Sequence, residues 1–508
     1  MKPIVTAKEM KEMELYAIHK LGIPSLVLME RAALSVADRI KQQFDKTAKI
    51  CVVCGGGNNG ADGVAVARML LEDEYKPVIV VLTDPEKFST EMKCQLEILN
   101  QLGYSYEKEI PKADFDCFVD AILGIGLSRE ITDESILSAI ETINLSDAYI
   151  YSVDIPSGIH TDLGGIMNAA VKANETVTFT CEKVGMSVFP GKTYAGHITV
   201  SQIGIPKNCM DMQKIQHVGI KEKFPKELFK VYPDGNKGTY GKVLIIAGND
   251  EISGAAVLCA KAAMKCGAGM VKVLSSEKTL DVIRTTLPEV MTGTLDASFD
   301  MTNVITEAIG WADCVVIGPG IGTDKTAYLK LITVLQNMPE DKKLVVDADA
   351  INLLAEHKEI KELTSKVNDV IYTPHFMELS RLTGKDVKSL KENLDVIMSD
   401  VLKWDEGIYV CKDSVTRVYK KDKNVFINRH GNCGMATAGS GDVLAGIIGA
   451  MVAKRGVSAY DGTVYGVHLH SVAGDIAARK VGKNGLVAGD IIDSLSDVWK
   501  VAEDMSDV

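Results

Sequence analysis

The sequence predicts an α/β protein of two domains, each built on a mostly parallel sheet. Its 508 residues exceed the ~100–200 residues of a typical single domain. Short β-branched runs alternate with helical stretches along most of the chain, which is the pattern of a parallel sheet covered by helices on both faces. The alternation stops over residues 206–236, which carry mixed charge and three prolines. We therefore place the domain boundary between residues 212 and 213.

The elements follow in order. Residues 6–44 read as two amphipathic helices separated near Gly22 and Pro24, with Thr6 and Glu9 spaced for a capping box. The first series of predicted strands covers residues 49–57, 77–84, 116–126, 149–158, 175–180 and 197–205. A short helix is expected around Lys223–Phe229 in the boundary segment. The second series covers residues 241–248, 270–276, 313–322, 343–350, 369–375 and 407–414.

Composition limits the function classes. A formal net charge of −12 argues against a nucleic acid or an anionic membrane as the main partner. No apolar run approaches the ~20 residues that span a bilayer. Eleven scattered cysteines favour a reduced, cytoplasmic compartment. Cys51 and Cys54 are three apart in a predicted strand and so point to opposite faces, which favours core packing over redox or metal chemistry.

Polar residues cluster where the predicted strands of the first half end, which is where parallel sheets bind ligands. A glycine-rich turn over residues 55–63 opens a helix, but it matches neither a dinucleotide fingerprint nor a P-loop, and a plain tight turn remains an alternative. Asn59, Asp120 and Ser157 together offer hard oxygen ligands that suit a monovalent or hard cation, although Asp120 alone could be a helix cap. Asp154 would be a spare carboxylate at the pocket mouth, suited to acid–base work.

In the second half, Gly439–Asp442 leads into a small, apolar helix. Backbone amides and the helix dipole converge at such a turn, which binds phosphate and stabilises charge on a transferred phosphoryl group. Asp442 can accept a proton from a hydroxyl there; the alternative is a carboxylate that only complements the dipole. His468 and His470 are two apart on a helix, so with Asp475 they favour packing or capping over a metal site.

Strings of the first half resemble the N-terminal YjeF family, the NAD(P)H-hydrate epimerases, over roughly residues 1–210. The strings are N-N-G-A-D-G, D-A-I-L-G-I-G and V-D-I-P-S-G. The resemblance implies a Rossmann-like domain that interconverts the R and S hydrates of NADH and NADPH, with potassium at Asn59, Asp120 and Ser157. The substrate contacts that it implies are Asn58, Asn59, Gly60, Ala61, Asp62, Gly124, Ile125, Gly126, Leu127, Ser128, Arg129, Glu130 and Asp154. Ala61 departs from the family, which usually has Gly there.

The second half resembles the ribokinase-like superfamily and, within it, the C-terminal YjeF family, the NAD(P)H-hydrate dehydratases. Besides the Gly439–Asp442 turn, the similar strings are K-G-T-Y-G-K, G-A-G, L-P-E-V-M, G-P-G-I-G, V-D-A-D-A and T-P-H, spread over roughly residues 237–490. The resemblance implies Asp442 as catalytic base. It implies substrate contacts at Ala255, Gly322, His375 and Asp442, and adenine-nucleotide contacts at Lys412, Asp413, Ser414, Val415, Thr416 and Gly441. Phe376 and Met377 replace the usual Pro-Gly.

The resemblance implies a bifunctional repair enzyme. The domain of residues 1–212 would supply one epimer, with Asp154 as acid/base, and the domain of residues 213–508 would dehydrate the S form with Mg²⁺ and ADP, releasing AMP and phosphate. We expect hydrated NADH or NADPH and ADP as small-molecule substrates, no nucleic-acid or membrane partner, and a homo-oligomer. The alternative is an ATP-dependent kinase of a small metabolite, with an N-terminal ligand-binding module that has no activity.

Overall fold

A computed structural model describes residues 1–220, 234–295 and 300–504. The predicted helix around Lys223–Phe229 lies outside these residues. The chain forms two compact units, one of Pro3–His217 and one of Val218–Val508 together with Met1 and Lys2. They adjoin in sequence within the segment of residues 206–236 that interrupts the strand pattern.

The first unit is built on a six-stranded parallel sheet of order β3-β2-β4-β5-β6-β8. Its strands are β2 (Ile50–Cys54), β3 (Val78–Val81), β4 (Cys117–Ala121), β5 (Tyr149–Val153), β6 (Glu175–Phe179) and β8 (His197–Ser201). Two short strands that the pattern did not predict, β1 (Lys2–Val5) and β7 (Glu182–Lys183), pair in parallel. A further short strand, β9, spans His217–Gly219.

Helices cover both faces of this sheet, as predicted. They are α1 (Ala7–His19), α2 (Ser25–Gln43), α3 (Asn58–Glu72), α4 (Thr90–Gln101), α5 (Glu134–Leu145), α6 (Val184–Ser187), α7 (Gly191–Tyr194) and α8 (Lys207–Asp211). Cys54 packs in the core under α1, α2 and α3, whereas Cys51 packs in the core under α5, which confirms that the two thiols lie on opposite faces. The Thr6–Glu9 capping box at the start of α1 is also confirmed.

The second unit has a sheet of order β12-β11-β10-β13-β14-β15-β16-β17-β18. Its strands are β10 (Lys242–Ile246), β11 (Met270–Ser275), β12 (Met291–Thr294), β13 (Cys314–Ile317), β14 (Lys343–Val346), β15 (Asp369–Tyr372), β16 (Ile408–Cys411), β17 (Arg417–Tyr419) and β18 (Val425–Ile427). The pairs from β12 to β16 are parallel, and β17 and β18 extend the sheet antiparallel. All six predicted strands are present, and β12, β17 and β18 are additional.

Two layers of helices enclose the second sheet. They are α9 (Gly254–Lys265), α10 (Glu277–Thr286), α11 (Met301–Trp311), α12 (Lys325–Asn337), α13 (Ala348–Glu356), α14 (Lys358–Lys361), α15 (Phe376–Thr383), α16 (Val387–Val401), α17 (Ser440–Ala453), α18 (Ala459–Val481) and α19 (Ala488–Asp504). The helix α17 is the central one: all residues from Val443 to Ala453 are buried, and α9 and α18 pack on it. Within the described ranges, no helix is long and apolar enough to cross a bilayer.

Candidate active sites

A buried carboxylate marks the first site. Asp120 is at the end of β4 and is fully buried. One of its oxygens accepts a hydrogen bond from the Ser157 hydroxyl at 2.5 Å, and the other accepts from the Ser157 amide and the Ser152 hydroxyl, both at 2.8 Å. Burial raises the pKa of Asp120, and the hydrogen bonds from Ser157 and Ser152 oppose that rise. All these side-chain partners are neutral, so a cation would compensate the carboxylate better than they do.

Asn59 lies beside Gly124, in the loop that follows β4. A Cβ placed on Gly124 would come within 3.1–3.5 Å of the Asn59 side chain, so a larger residue there would press on that side chain. The side-chain nitrogen of Asn59 is buried and makes no hydrogen bond in the described residues. Ser157 Oγ lies 3.2 Å from the carbonyl oxygen of Leu123. The structure thus brings Asp120 and Ser157 into contact and places Asn59 beside Gly124, which follows Leu123, a contact of Ser157.

The remaining predicted contacts of the first unit border the same strand ends. Asn58, Asn59, Gly60, Ala61 and Asp62 form the first turn and a half of α3. Ala61, which departs from the family pattern, is fully buried within that helix. The loop from Gly124 to Glu130 follows β4, and Gly126, Ser128, Arg129 and Glu130 are exposed. An exposed loop opposite a helix N-terminus is suited to hold an anionic nucleotide.

The prediction that Asp154 is a spare carboxylate is wrong. Its side chain is almost buried, and one oxygen accepts hydrogen bonds from the Lys183 ammonium, the Thr178 hydroxyl and the Phe179 amide. Lys183 itself is fully buried and also donates to Thr178 and to the carbonyl oxygen of Phe179. The backbone of Asp154 has a φ of 65°, a conformation that non-glycine residues keep mainly at functional sites. Asp154 is therefore held in one orientation.

Two more carboxyl groups interact with this pair. Glu14 projects from α1, and its pKa is raised to about 7 by burial and by Asp154, against the opposing effect of Lys183. The pKa of Asp62 is raised by burial and by Asp154 and Glu14. Asp154 thus contacts the buried ammonium of Lys183, and Glu14 and Asp62 interact with it electrostatically.

The second site is at the N-terminus of α17. Gly439 caps the helix with a φ of 87°, in the left-handed region that favours glycine. The amides of Gly441 and Asp442 make no backbone hydrogen bond in the part of the chain that the structure describes. Helix amides of this kind, together with the dipole, bind phosphate oxygens. The predicted phosphate turn therefore has the required local geometry.

Asp442 lies beside a buried ion pair. Burial and Asp347 raise the pKa of Asp442 to about 6, and Lys412 opposes the rise. Lys412 Nζ donates to Asp347 Oδ1 at 2.8 Å, and the Thr373 hydroxyl donates to the same oxygen at 2.5 Å. Within the described residues, Asp442 itself has no hydrogen-bond partner. Its carboxylate is thus free to accept a proton, in an environment that makes it a stronger base than an exposed aspartate.

Lys412 reaches the phosphate turn as well. A Cβ on Gly441 would lie 3.5 Å from Lys412 Nζ, so the ammonium borders the first turn of α17. The other predicted nucleotide contacts, Asp413 to Thr416, form the loop that joins β16 to β17; Asp413 and Ser414 are exposed. One end of this loop therefore lies at the phosphate turn, and Asp413 and Ser414 are open to a ligand, whereas Val415 is buried.

The predicted substrate contacts lie after the strands β10, β13 and β15. His375 caps α15, where its Nδ1 accepts from the Glu378 amide at 3.1 Å and its own amide donates to Glu378 Oε2 at 2.8 Å. Phe376 occupies the first helical position and is buried, so the departure from Pro-Gly leaves the cap intact. The Gly322 amide donates to Asp349 Oδ2 at 2.9 Å. Ala255 is buried and borders Gly320 in the neighbouring loop.

The histidines of α18 have separate partners. His470 Nε2 lies 3.3 Å from Ser440 Oγ, so His470 packs directly under the phosphate turn. Asp475 accepts from the Gly431 amide and from the Asn432 side chain, and it fixes the loop that leads into that turn. Burial lowers the pKa of His470 to about 4, so its ring is neutral.

Sequence reasoning did not find Glu14, Lys183, Asp347 or Glu378. Glu14 had one usable signal, because it interrupts the apolar stripe of α1 formed by Met10, Met13 and Ala17. Lys183 ends the two-residue strand β7, which is too short for a periodicity, and nothing in its local sequence marks it.

Comparisons with known proteins bear on both units. A family model described as NAD(P)H-hydrate dehydratase matches residues 243–496, and one described as YjeF-related protein N-terminus matches residues 25–185. The bifunctional NAD(P)H-hydrate repair enzyme of Moorella thermoacetica is 34% identical over 99% of this chain and 97% of its own length. The enzyme of the same name from Escherichia coli is 31% identical over 97% of this chain and 93% of its own.

The chain belongs to the family of bifunctional NAD(P)H-hydrate repair enzymes. The resemblance that the motifs indicated is thereby confirmed, as is the expectation of an enzyme. A solved ribokinase-like superfamily protein of Enterococcus faecalis, 27% identical with a TM-score of 0.50, covers 57% of this chain and 98% of its own. This similarity agrees with the predicted fold class. A metabolite kinase with an inactive N-terminal module is less well supported, because relatives of the repair family align across both units.

Proposed function

We propose that this chain repairs hydrated NADH and NADPH in two steps, one in each unit. The unit Pro3–His217 interconverts the R and S hydrates, and the unit Val218–Val508 dehydrates the S form with ADP. The observation that carries the proposal is Asp442, a carboxylate with a pKa of about 6, no hydrogen-bond partner in the described residues, and a helix N-terminus and Lys412 beside it. The printed names of the two relatives agree with both steps.

In the dehydration, Asp442 removes the proton from the hydroxyl on C6 of the nicotinamide ring. The alkoxide oxygen attacks the terminal phosphorus of ADP, which enters with Mg²⁺ as part of the substrate, and AMP leaves. The amides of Gly441 and Asp442 and the Lys412 ammonium stabilise the charge of the transferred group. The lone pair of the ring nitrogen then expels phosphate from C6, and loss of a proton from C5 to water forms the C5–C6 double bond and restores the reduced ring.

The ligand contacts of the second unit follow from this geometry. Asp413, Ser414, Val415 and Thr416 would contact the adenine nucleotide, together with Lys412 and Gly441. Ala255, Gly322 and His375 would contact the hydrate around Asp442. His375 is half exposed and held by the cap of α15; its Nε2 lies 3.4 Å from Glu378 Oε1, and the exposed edge of the ring is available to a substrate.

Potassium fits the cluster of Asn59, Asp120 and Ser157 in the first unit. All three supply oxygen, Asp120 supplies one negative charge, and the side-chain nitrogen of Asn59 lacks a partner in the described residues, which leaves its amide free to turn its oxygen toward an ion. A bound cation supplies positive charge near the nucleotide phosphates. Asp154 supplies an acid/base group whose position Lys183 fixes. The free state of all eleven cysteines agrees with a cytoplasmic location, and homo-oligomer formation stays a prediction.

The coupled hydrate assay tests the proposal. Purified protein, a mixture of both NADH hydrates, Mg²⁺ and ADP should restore the absorbance of NADH and release AMP and phosphate in equal amounts. A parallel reaction with ATP defines the phosphoryl donor. A stable phosphorylated product instead of NADH would identify a metabolite kinase and would reject the proposal.

A further inference from the structure

We propose that Glu14 is a second catalytic residue of the epimerase unit, the general acid that protonates the departing C6 hydroxyl, opposite Asp154 on the other face of the ring. The inference rests on the proposed epimerisation. Glu14 precedes the segment of residues 25–185 that the N-terminal family model matches.

Inversion at one carbon requires chemistry on both faces of the ring. The C6–O bond breaks as the ring nitrogen donates its lone pair, and Glu14 transfers its proton to the leaving oxygen, which departs as water. A second water attacks C6 from the opposite face, and Asp154 takes its proton. Glu14 ends as the carboxylate and Asp154 as the acid; proton exchange with solvent, or the reverse reaction, resets both. Two carboxyls of opposite protonation state are the usual solution for such a displacement.

The position of Glu14 on α1 supports this role. Met10, Met13 and Ala17 are buried and form the face of α1 that packs on the core. Glu14 is four residues after Met10 and three before Ala17, so it lies on that same face. In the described residues its carboxyl has no hydrogen-bond partner. Glu14 is half-buried, and a carboxyl that is partly withdrawn from water without a partner costs stability, so the fold gains nothing from it.

The charges around Glu14 suit an acid. The groups that act on it are Asp154 and Lys183 from the sheet and Lys11 from its own helix, and Asp62 of α3 interacts with it in turn. Burial and Asp154 raise its pKa to about 7, while the two lysines oppose the rise. Asp154 contacts Lys183 directly. At neutral pH Glu14 therefore carries a proton in about half of the molecules, and Asp154 is the carboxyl that contacts a cation.

The test follows conversion of the isolated R hydrate to the S hydrate by the full chain, by chromatography, with ADP omitted so that dehydration is silent. Glu14→Gln should slow epimerisation by about 10²–10⁴-fold and leave dehydration of the S hydrate, with ADP restored, unchanged. The wild-type rate should fall as the pH rises through about 7, because Glu14 then loses its proton. The residual rate of the variant should lack that alkaline limb. In H₂¹⁸O, each inversion should place one ¹⁸O on C6.

Glu12→Gln is the matched control, since Glu12 is on the same helix, is partly exposed and pairs only loosely with Lys8 at 3.9 Å. This variant should keep the wild-type epimerisation rate and the alkaline limb of its pH profile. If Glu14→Gln does not fold, Glu14→Asp replaces it in the test. A slower epimerisation rate whose pH profile keeps an alkaline limb then supports Glu14 as the general acid. An unchanged rate and limb in Glu14→Gln, or inversion without ¹⁸O, overturns the inference. If the wild-type chain does not interconvert the hydrates at all, the proposed function fails instead.

Discussion

Lys412 stands between two carboxylates, Asp347 and Asp442, and the balance among them sets the pH at which the second unit works. Asp442 must be ionised to act as a base, and its pKa of about 6 is already higher than that of an ordinary aspartate. The backbone contributes as well: Ala348, directly after Asp347, has a φ of 48°. A strained residue next to a buried carboxylate is a feature of functional sites, and Asp154 in the first unit shows the same feature.

Replacing Lys412 should shift the pH dependence of dehydration. The ammonium of Lys412 lowers the pKa of Asp442, so Lys412→Met removes that effect and the pKa rises. Because the base form is needed, the acid limb of kcat/KM should move from about pH 6 to higher pH, with a lower plateau from the lost phosphate contact. Lys420→Met is the control. Lys420 directly follows β17 and pairs with Asp369 at the start of β15, outside the catalytic turn. An acid limb that stays in place would contradict the role given to Lys412.

Asp120 should make the first unit responsive to potassium. A cation that binds the folded state raises the stability of that state. Replacing NaCl by KCl at constant ionic strength should therefore raise the thermal unfolding midpoint and the epimerisation rate of the wild-type chain. Asp120→Asn removes the only charge of the cluster, so both responses should disappear. If the variant responds to KCl as the wild-type does, potassium binds elsewhere.

At the scale of elements, the start of α17 depends on one glycine. Gly439 has a φ of 87°, and a Cβ there would lie 2.4 Å from Leu258 Cδ1 of α9 and 3.2 Å from Ala488 Cβ of α19. Three helices thus meet at a residue without a side chain. This contact fixes where the amides of the phosphate turn point.

Gly439→Ala should damage catalysis more than stability. The left-handed backbone costs about 1–2 kcal/mol for a residue with a Cβ, and Leu258 can rotate away at further cost. Urea denaturation should report a loss of that order, and dehydration should slow at least tenfold because the turn shifts. Gly310→Ala in α11, with open space around it, is the control and should be neutral or slightly stabilising. Full dehydration activity in Gly439→Ala would show that the turn tolerates displacement.

The elements show how much the sequence could predict. All twelve predicted strands were found, because each is a β-branched run of four to six residues bounded by turn residues. The strands β1, β7, β17 and β18 have two to four residues, which is too short for a periodicity. Asp120, Asp154, Ser157 and Asp442 were predicted because strand ends and helix starts carry ligands. The sequence did not predict Glu14, Lys183 and Asp347, because the role of each depends on residues that are far away in sequence.

At the scale of the whole molecule, the chain joins two chemistries that act on one carbon. The dehydratase unit takes only one epimer, so its yield from a mixture depends on the other unit. The carboxyls that we propose as catalytic are built differently in the two units: Asp442 has no hydrogen-bond partner in the described residues, whereas Asp154 is held by Lys183. Each activity can thus be disabled by replacing one carboxylate oxygen, as an Asp-to-Asn substitution does, in a residue that the other unit does not use.

Single substitutions should therefore separate the two activities. With ADP, Mg²⁺ and a mixture of hydrates, the wild-type chain should convert both epimers to NADH. Asp154→Asn should convert the S fraction at the normal rate and then stop, apart from slow spontaneous epimerisation. Asp442→Asn should produce no NADH and yet bring a pure R hydrate to the same R/S equilibrium as the wild-type chain. Mixing the two variants should restore complete conversion, because the S hydrate released by one is the substrate of the other. A mixture that stays incomplete at any protein concentration would mean that the hydrate does not leave one chain for another, and the two sites would then have to exchange it directly.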